Sequence, residues 1–182
     1  MDDLKKMLKD MKTLEAEAAA TFSGTMIKGK PGLTRLSQIE PLEPEGERIV
    51  VGVPPNYPKI LAAFPQAAKT HGVIFAYGST IFNRDGVTIP KPIAAHELCH
   101  LDQQKVAGGA EAWWDRYMVD VEWRYGEELQ AHQVEYFYAT LDASRLRRRA
   151  YLSAIAKRLS GPLYGHMTTL EKAKQAIKGA LR

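Results

Sequence analysis

The chain has 182 residues, of which 45% are hydrophobic and 25% are charged, with a net charge of +4 and a pI near 9.1. These values are typical of a soluble globular protein that is long enough to bury a core. The single cysteine excludes an internal disulfide, and no stretch approaches the roughly 20 apolar residues that a membrane-spanning helix needs.

The first 46 residues are predicted to form an arm outside the main core. Residues 2–20 predict an amphipathic helix, and residues 22–47 are rich in Gly, Pro and charge, which is typical of an extended linker. The apolar positions of the helix are Leu4, Met7, Leu8, Met11 and Leu14. Such an arm is expected to dock on its own domain or on an assembly partner. It lacks the apolar block of a secretory signal, so we expect a cytoplasmic protein.

Residues 47–182 are predicted to form the compact domain, which begins with the order β-α-β-β. The runs that predict these elements are RIVVGV, NYPKILAAFPQAAKTH, GVIFAYGSTIF and VTI. The helical run breaks at Pro65, and the turn sequence Asn83-Arg84-Asp85-Gly86 separates the last two strands.

Only helices are predicted after these strands. The first begins near Ile93, behind Pro90 and Pro92, and a short helix follows the pair Gly108-Gly109. The remaining helices are predicted over 121–141, about 143–159 and about 168–181. The fold class is therefore α+β, with a small sheet packed on the helix near Ile93 and a mostly helical C-terminal half.

The helix that begins near Ile93 contains His96-Glu97-Leu98-Cys99-His100. Residues four apart share one face of a helix, so both histidines can direct a ring nitrogen at one zinc ion. Glu97 lies one step round the helix, where its carboxylate can reach a water molecule on that ion. Random order of this composition would produce the pattern roughly one time in a hundred. The motif predicts a zinc site with its own general base.

A catalytic zinc site needs a third protein ligand and an open position for water. No histidine follows soon after His100. The spacing leaves several residues open as the third ligand, and they are Asp115, Glu127, Glu128, His132 and Glu135.

The segment Glu128-Leu129-Gln130-Ala131-His132 resembles the zincin metallopeptidases whose third ligand is a glutamate on a later helix. The resemblance implies a zincin-like fold with Glu128 as the third zinc ligand and Ala131 small enough to let two helices approach. His132 departs from the Asp or Asn of that pattern, and it is either a partner of the ligands or itself a ligand. The resemblance also implies a donor to the transition state, for which Tyr164 and His166 are the candidates.

Residues 47–165 are also similar to a group of small phage-encoded proteins of unassigned function. The likeness lies in the motif helix and in the segment around Trp113 and Trp114. It implies a virion component or a phage accessory enzyme, located in the host cytoplasm or in the virion, and it gives the N-terminal arm a docking role.

These observations predict a zinc-dependent metallopeptidase, in which Glu97 activates a zinc-bound water to hydrolyse an amide bond of a protein or peptide. The alternative is a structural or connector protein of a virion that keeps a zinc-binding zincin fold with little or no turnover. The arginine-rich run at 145–149 is interpreted as a solvated helix face, since no nucleic-acid-binding signature accompanies it. Neither a nucleic acid nor a membrane is expected as a partner.

Overall fold

The computed structural model describes residues 49–179. The predicted N-terminal helix and linker, the domain boundary near residue 47 and the last three residues lie outside this range. The described chain contains the strands β1 (Ile49–Val51), β2 (Ile74–Tyr77) and β3 (Thr80–Asn83). Its α-helices are α1 (Tyr57–Ala63), α2 (Gln66–Lys69), α3 (Lys91–Val106), α4 (Ala110–Val119), α5 (Val121–Thr140), α6 (Arg145–Leu159) and α7 (Leu170–Gly179), with a 3-10 turn at Pro162–Tyr164 between the last two.

The three strands form one small mixed sheet in the order β1-β3-β2. β1 runs parallel to β3, with Ile49 opposite Ile81, and β2 runs antiparallel to β3, with Ile74 opposite Asn83. The predicted α+β class, with a small mixed sheet and a mostly helical C-terminal half, is therefore confirmed.

The single strand predicted over 72–82 is instead a hairpin of β2 and β3. The turn between them contains Gly78, whose φ of 66° lies in the left-handed region that glycine adopts without steric cost. Because the chain reverses at this point, the two halves of the run pair with each other.

The strand predicted over residues 87–89 does not form. The side-chain amide of Asn83 donates to the carbonyl of Val87 at 2.7 Å, and its oxygen accepts from the Val87 N–H at 3.1 Å. These backbone groups are satisfied by a side chain, so the segment continues as an extended connection that leads into α3.

α3 lies at the centre of the domain, where it packs against β2 on one side and against α5 on another. The eight residues 94–101 are all buried, although they include two histidines and a glutamate. Pro92 lies in the first turn of the helix, where its missing N–H has no intrahelical partner to lose. A helical segment that is buried on all sides must satisfy its polar side chains through neighbouring elements.

Two hydrophobic clusters flank this central helix. The first joins α1, β2 and α4 and includes Ile60, Phe75, Trp113, Trp114 and Tyr117. The second joins α5, α6 and α7 and includes Tyr136, Ile155, Leu159, Ala173 and Ile177. Within the described residues, none of the helices combines the length and the apolar character that crossing a lipid bilayer requires.

Candidate metal centre

His96 and His100 lie one turn apart on α3, and both are buried. Their Nε2 atoms are 3.1 Å apart. Two ring nitrogens at this distance repel each other through their lone pairs unless a proton or a cation lies between them. The two histidines can therefore supply two of the ligands that a metal ion needs.

Glu128 on α5 completes this group. Its Oε1 lies 3.4 Å from His100 Nε2, and its Oε2 lies 3.6 Å from His96 Nε2. Ala131, one turn further along α5, is fully buried, and its small side chain lets α5 approach α3. Donor atoms from His96, His100 and Glu128 all lie within 4.8 Å of one another.

The donor set fits zinc. Bonds of about 2.0–2.2 Å in a tetrahedral site place ligand atoms roughly 3.3–3.6 Å apart, which agrees with the 3.1–3.6 Å found here. Glu128 Oε2 is buried and forms no hydrogen bond within the described chain, as a ligand atom would in the absence of its metal. Two imidazoles and one carboxylate are also a common set in catalytic zinc sites.

Each of the three side chains lies close to a further polar side chain. His100 Nδ1 lies 2.7 Å from Gln103 Oε1, so the ring donates from Nδ1 and directs Nε2 towards the metal position. Tyr117 donates from its hydroxyl to Glu128 Oε1 at 2.5 Å. His96 Nδ1 lies 3.5 Å from a carboxylate oxygen of Glu135. Such partners fix the orientation of metal ligands.

Two of these partners were missed by the sequence analysis. Gln103 lies three residues after His100 on the same helix face, so its spacing was an available signal. Tyr117 lies on α4, and no local pattern links it to Glu128. Its role follows only from the packing of α4 against α5.

His96, His132 and Glu135 form a second cluster of donor atoms. His132 Nδ1 lies 2.9 Å from Glu135 Oε2, while the other oxygen of Glu135 accepts a short hydrogen bond from Arg158 on α6. The carboxylate is thus already neutralised by a guanidinium, which would repel a second cation. We assign this cluster to the support of His96. His132 Nε2 lies 3.8 Å from Glu128 Oε2, but His132 does not belong to the donor group of His96, His100 and Glu128.

Glu97 is held differently from its polar neighbours. It is 7% exposed, it lines the cleft beside the two histidines, and it forms no hydrogen bond or ion pair within the described chain. Burial raises the pKa of its carboxyl group to about 8 in the metal-free protein. A buried carboxylate without a partner is costly, and functional sites are where such groups occur.

The three donor residues titrate as an interacting group. Burial lowers the pKa of His96 to about 4, and the neighbouring His132 adds to this effect. For His100 burial acts in the same direction, but the charge of Glu128 and its hydrogen bond overcome it and raise the pKa to about 9. Burial alone would raise the pKa of Glu128, yet the adjacent histidines, with His100 first, hold it below its usual range. The carboxylate is therefore ionised, as a metal ligand must be.

The site opens into a cleft of about 540 Å³, a volume that includes space open to solvent. One wall is polar and contains the two histidines, Glu97 and Glu128. The apolar wall of the cleft is formed by Ile60, Phe64, Ala67, Val73, Phe75 and Leu163. Such a cleft can hold an apolar side chain beside the polar groups.

The two predicted donors to the transition state lie in different places. Tyr164 lines the cleft, and its hydroxyl forms no hydrogen bond within the described chain. Burial and the nearby Glu128 hold the pKa of Tyr164 well above its usual value, so the phenol keeps its proton. His166 is exposed, and its ring contacts the backbone oxygen of Ser160 at 3.1 Å outside the cleft.

The other residues considered as third ligands face elsewhere. Glu127 accepts a hydrogen bond from the Trp113 indole at 3.2 Å. Asp115 is exposed and pairs with Lys59 at 3.3 Å. Neither belongs to a group of donor atoms that meet at one point.

Comparison of the chain with protein-family models, with curated proteins and with solved structures finds no match.

Proposed function

We propose that the chain is a zinc-dependent metallopeptidase with a zincin-like fold, located in the host cytoplasm or in a virion of a phage. The observation that supports this function best is the unpartnered carboxylate of Glu97 beside the donor group of His96, His100 and Glu128. A purely structural metal site does not need a base at that position.

His96, His100 and Glu128 would hold the zinc ion, which when bound polarises a water molecule and a substrate carbonyl. Glu97 takes the proton of the attacking water and delivers it to the leaving amine. The Tyr164 phenol donates a hydrogen bond to the negative charge that develops on the carbonyl oxygen. Gln103 and Glu135 keep the two imidazole rings in the orientation that binding requires.

The cleft supports a peptide as the substrate. β2 is an outer strand of the sheet, and Ile74 and Phe75 line the cleft in the part of the strand that Gln104 and Trp114 do not cover. An extended peptide can lie along such a strand, with its alternate side chains directed into pockets. The apolar wall would then accept a large apolar side chain next to the bond that is cleaved.

The decisive experiment compares wild-type protein with Glu97→Gln. The amide keeps the size of the side chain but cannot accept a proton at neutral pH, so the rate of hydrolysis should fall by about 10²–10⁴-fold. The zinc content should stay at about one ion per chain. Elemental analysis gives the zinc content, and casein, unfolded host proteins and peptidoglycan serve as substrates, each with and without a chelator.

Glu111→Gln is the matched control, because Glu111 is an exposed glutamate on α4 outside the cleft. It should retain both the rate and the zinc. If the wild-type protein holds its zinc but cleaves none of the substrates, and a phage with Glu97→Gln assembles and infects normally, the peptidase proposal is wrong. The alternative, a virion structural protein that keeps the zinc site, then replaces it.

A further inference from the structure

The charges of the described chain are segregated along the sequence. Residues 49–142, which contain the sheet and the candidate metal centre, have seven Lys and Arg against eleven Asp and Glu. Residues 143–179, which form α6 and α7, have nine Lys and Arg and a single acid, Glu171. Such asymmetry gives the α6–α7 end of the domain a strongly positive potential, which attracts polyanions.

Four arginines lie at the start of α6, and they are Arg145, Arg147, Arg148 and Arg149. The first six residues of this helix, 145–150, are all exposed, and Leu146 among them is 77% exposed. No acidic side chain of the described residues pairs with any of the four, since the ion pair of α6 is made by Arg158 near its other end. The first turns of α6 are therefore exposed on all sides, and the charges of their four arginines are not neutralised by acidic side chains of the described residues.

The position of these charges on the helix is intrinsically unfavourable. The N-terminus of a helix bears the positive end of the backbone dipole, so four cations in the first two turns are disfavoured by the dipole and by one another. Ser144 caps the helix by accepting from the Arg147 N–H at 3.3 Å, and it adds no negative charge. A polyanion that binds at this position relieves both effects.

The distribution of the arginines around the helix distinguishes between kinds of polyanion. At about 100° per residue, Arg145, Arg148 and Arg149 fall within about 100° of one another, and Arg147 lies on the opposite side. An acidic protein surface would face only one of these sides. The major groove of B-form DNA is about 12 Å wide, which accommodates a helix and places phosphates on both of its sides. The deep, narrow major groove of duplex RNA does not admit a helix.

We propose that the first two turns of α6 bind B-form DNA by lying in its major groove, with Arg147 and the other three arginines contacting phosphates on opposite strands. Binding is independent of base sequence, because all four arginines contact phosphates, which carry no sequence information. This interaction is separate from the proposed hydrolase activity and does not depend on it.

Fluorescence anisotropy of a labelled 24-base-pair DNA duplex, titrated with the full-length protein between about 50 and 200 mM salt, tests the proposal. Four phosphate contacts should give a slope of log K against log salt of about −3.6. The variant R145Q/R147Q/R148Q/R149Q should bind at least about tenfold more weakly at the lowest salt, and each single Arg→Gln change should reduce the slope by about one. The substitutions lie at exposed positions, and circular dichroism verifies that the variant keeps its helix content.

The matched control removes four positive charges from the other part of the domain, in K59Q/K69Q/K91Q/K105Q. This variant should bind the duplex as the wild type does. Equal binding by the two quadruple variants would show a non-specific effect of net charge and overturn the proposal. Equal affinity for duplex RNA, or competition by polyglutamate at the same concentration of charge, would overturn it in favour of another polyanion.

Discussion

Asp85 lies in the turn after β3, where its carboxylate ties together two parts of the chain. It accepts hydrogen bonds from the Arg84 guanidinium at 2.8 Å and from the backbone N–H of Gly72 at 2.7 Å. The same guanidinium donates to the carbonyls of Ala67 and Thr70 at 2.7 Å, so the pair links the turn to the end of α2. The hydrogen bond from Arg84, followed by that from Gly72, lowers the pKa of Asp85 from 3.8 to about 2.

This shift predicts a pH-dependent contribution to stability. Because the folded pKa is lower than the unfolded pKa, the contribution is complete above about pH 4 and is lost as the pH falls towards about 2. Asp85→Asn should therefore be less stable than the wild type at pH 6, and the difference should shrink between pH 4 and pH 2.5. Urea unfolding at pH 6, 4 and 2.5 measures it. A difference that stays constant over this range would contradict the prediction.

Among the residues of the candidate metal centre, some could be predicted from the sequence and others could not. His96, Glu97 and His100 are separated by fixed helical spacing, so their common location follows from the sequence alone. Glu128 required a resemblance, because the contact between α3 and α5 is not encoded locally. The pairing of Tyr117 with Glu128 depends on a third helix, and sequence spacing contains no signal for it.

At the scale of elements, Gln104 connects α3 to the hairpin. Its amide donates to the Ala76 carbonyl at 2.9 Å and accepts from the Gly78 N–H at 2.7 Å, so the side chain pairs with β2 in the way that a further strand would. Trp114 on α4 donates to the same carbonyl at 3.0 Å. These bonds fix the outer strand against the helix that contains the motif.

Gln104→Leu should lower the free energy of unfolding by about 1–3 kcal/mol. Leucine has a similar size but removes the hydrogen bonds to the Gly78 N–H and to the Ala76 carbonyl, and each such bond contributes about 0.5–1.5 kcal/mol. Urea denaturation measures the change. Gln66→Leu on α2 is the control, since Gln66 is exposed and its side chain forms no hydrogen bond within the described chain, and it should stay within about 0.5 kcal/mol of the wild type. Equal effects of the two substitutions would show that the hydrogen bonds of the Gln104 side chain contribute nothing to stability.

The sequence predicted elements better than it predicted their pairing. The break at Pro65 and the long helix after residue 121 were predicted correctly, because proline and helical periodicity act locally. The hairpin inside the run over 72–82 was missed. Its only signal is the pair Gly78-Ser79, which lies between two short strand-like segments. The strand at residues 87–89 was wrong because a side chain, Asn83, competes for its backbone groups.

At the scale of the whole molecule, the proposed metal would cross-link two helices that are distant in sequence. His96 and His100 lie on α3, and Glu128 lies on α5, so binding requires the packed pair and favours the folded state. A ligand present at about 100 times its dissociation constant stabilises the fold by about 2.7 kcal/mol.

Removal of zinc with a chelator should therefore lower the melting temperature by on the order of 10 °C. Differential scanning calorimetry of the zinc-loaded and chelated protein measures the shift. Glu97→Gln should show the same shift, because Glu97 is not a ligand, while His100→Ala should show almost none. A shift of equal size in His100→Ala would place the metal elsewhere.

Glu97 forms no hydrogen bond or ion pair within the described chain, whereas the neighbouring polar side chains do. This difference has a consequence for the evolution of the chain. The two histidines and Glu128 contact one another and the side chains of Gln103, Tyr117 and Glu135. Replacing any one of these residues leaves a buried polar group without its partner. Selection for folding alone therefore acts against substitutions at these positions. Glu97 has no such partner, and its buried carboxyl is a liability that neutral substitution would readily remove. A lineage that abandoned catalysis would thus lose this glutamate first and keep the rest as an inherited vestige. If the proposed peptidase function is right, the residue at position 97 would therefore distinguish active from inactive relatives of this chain.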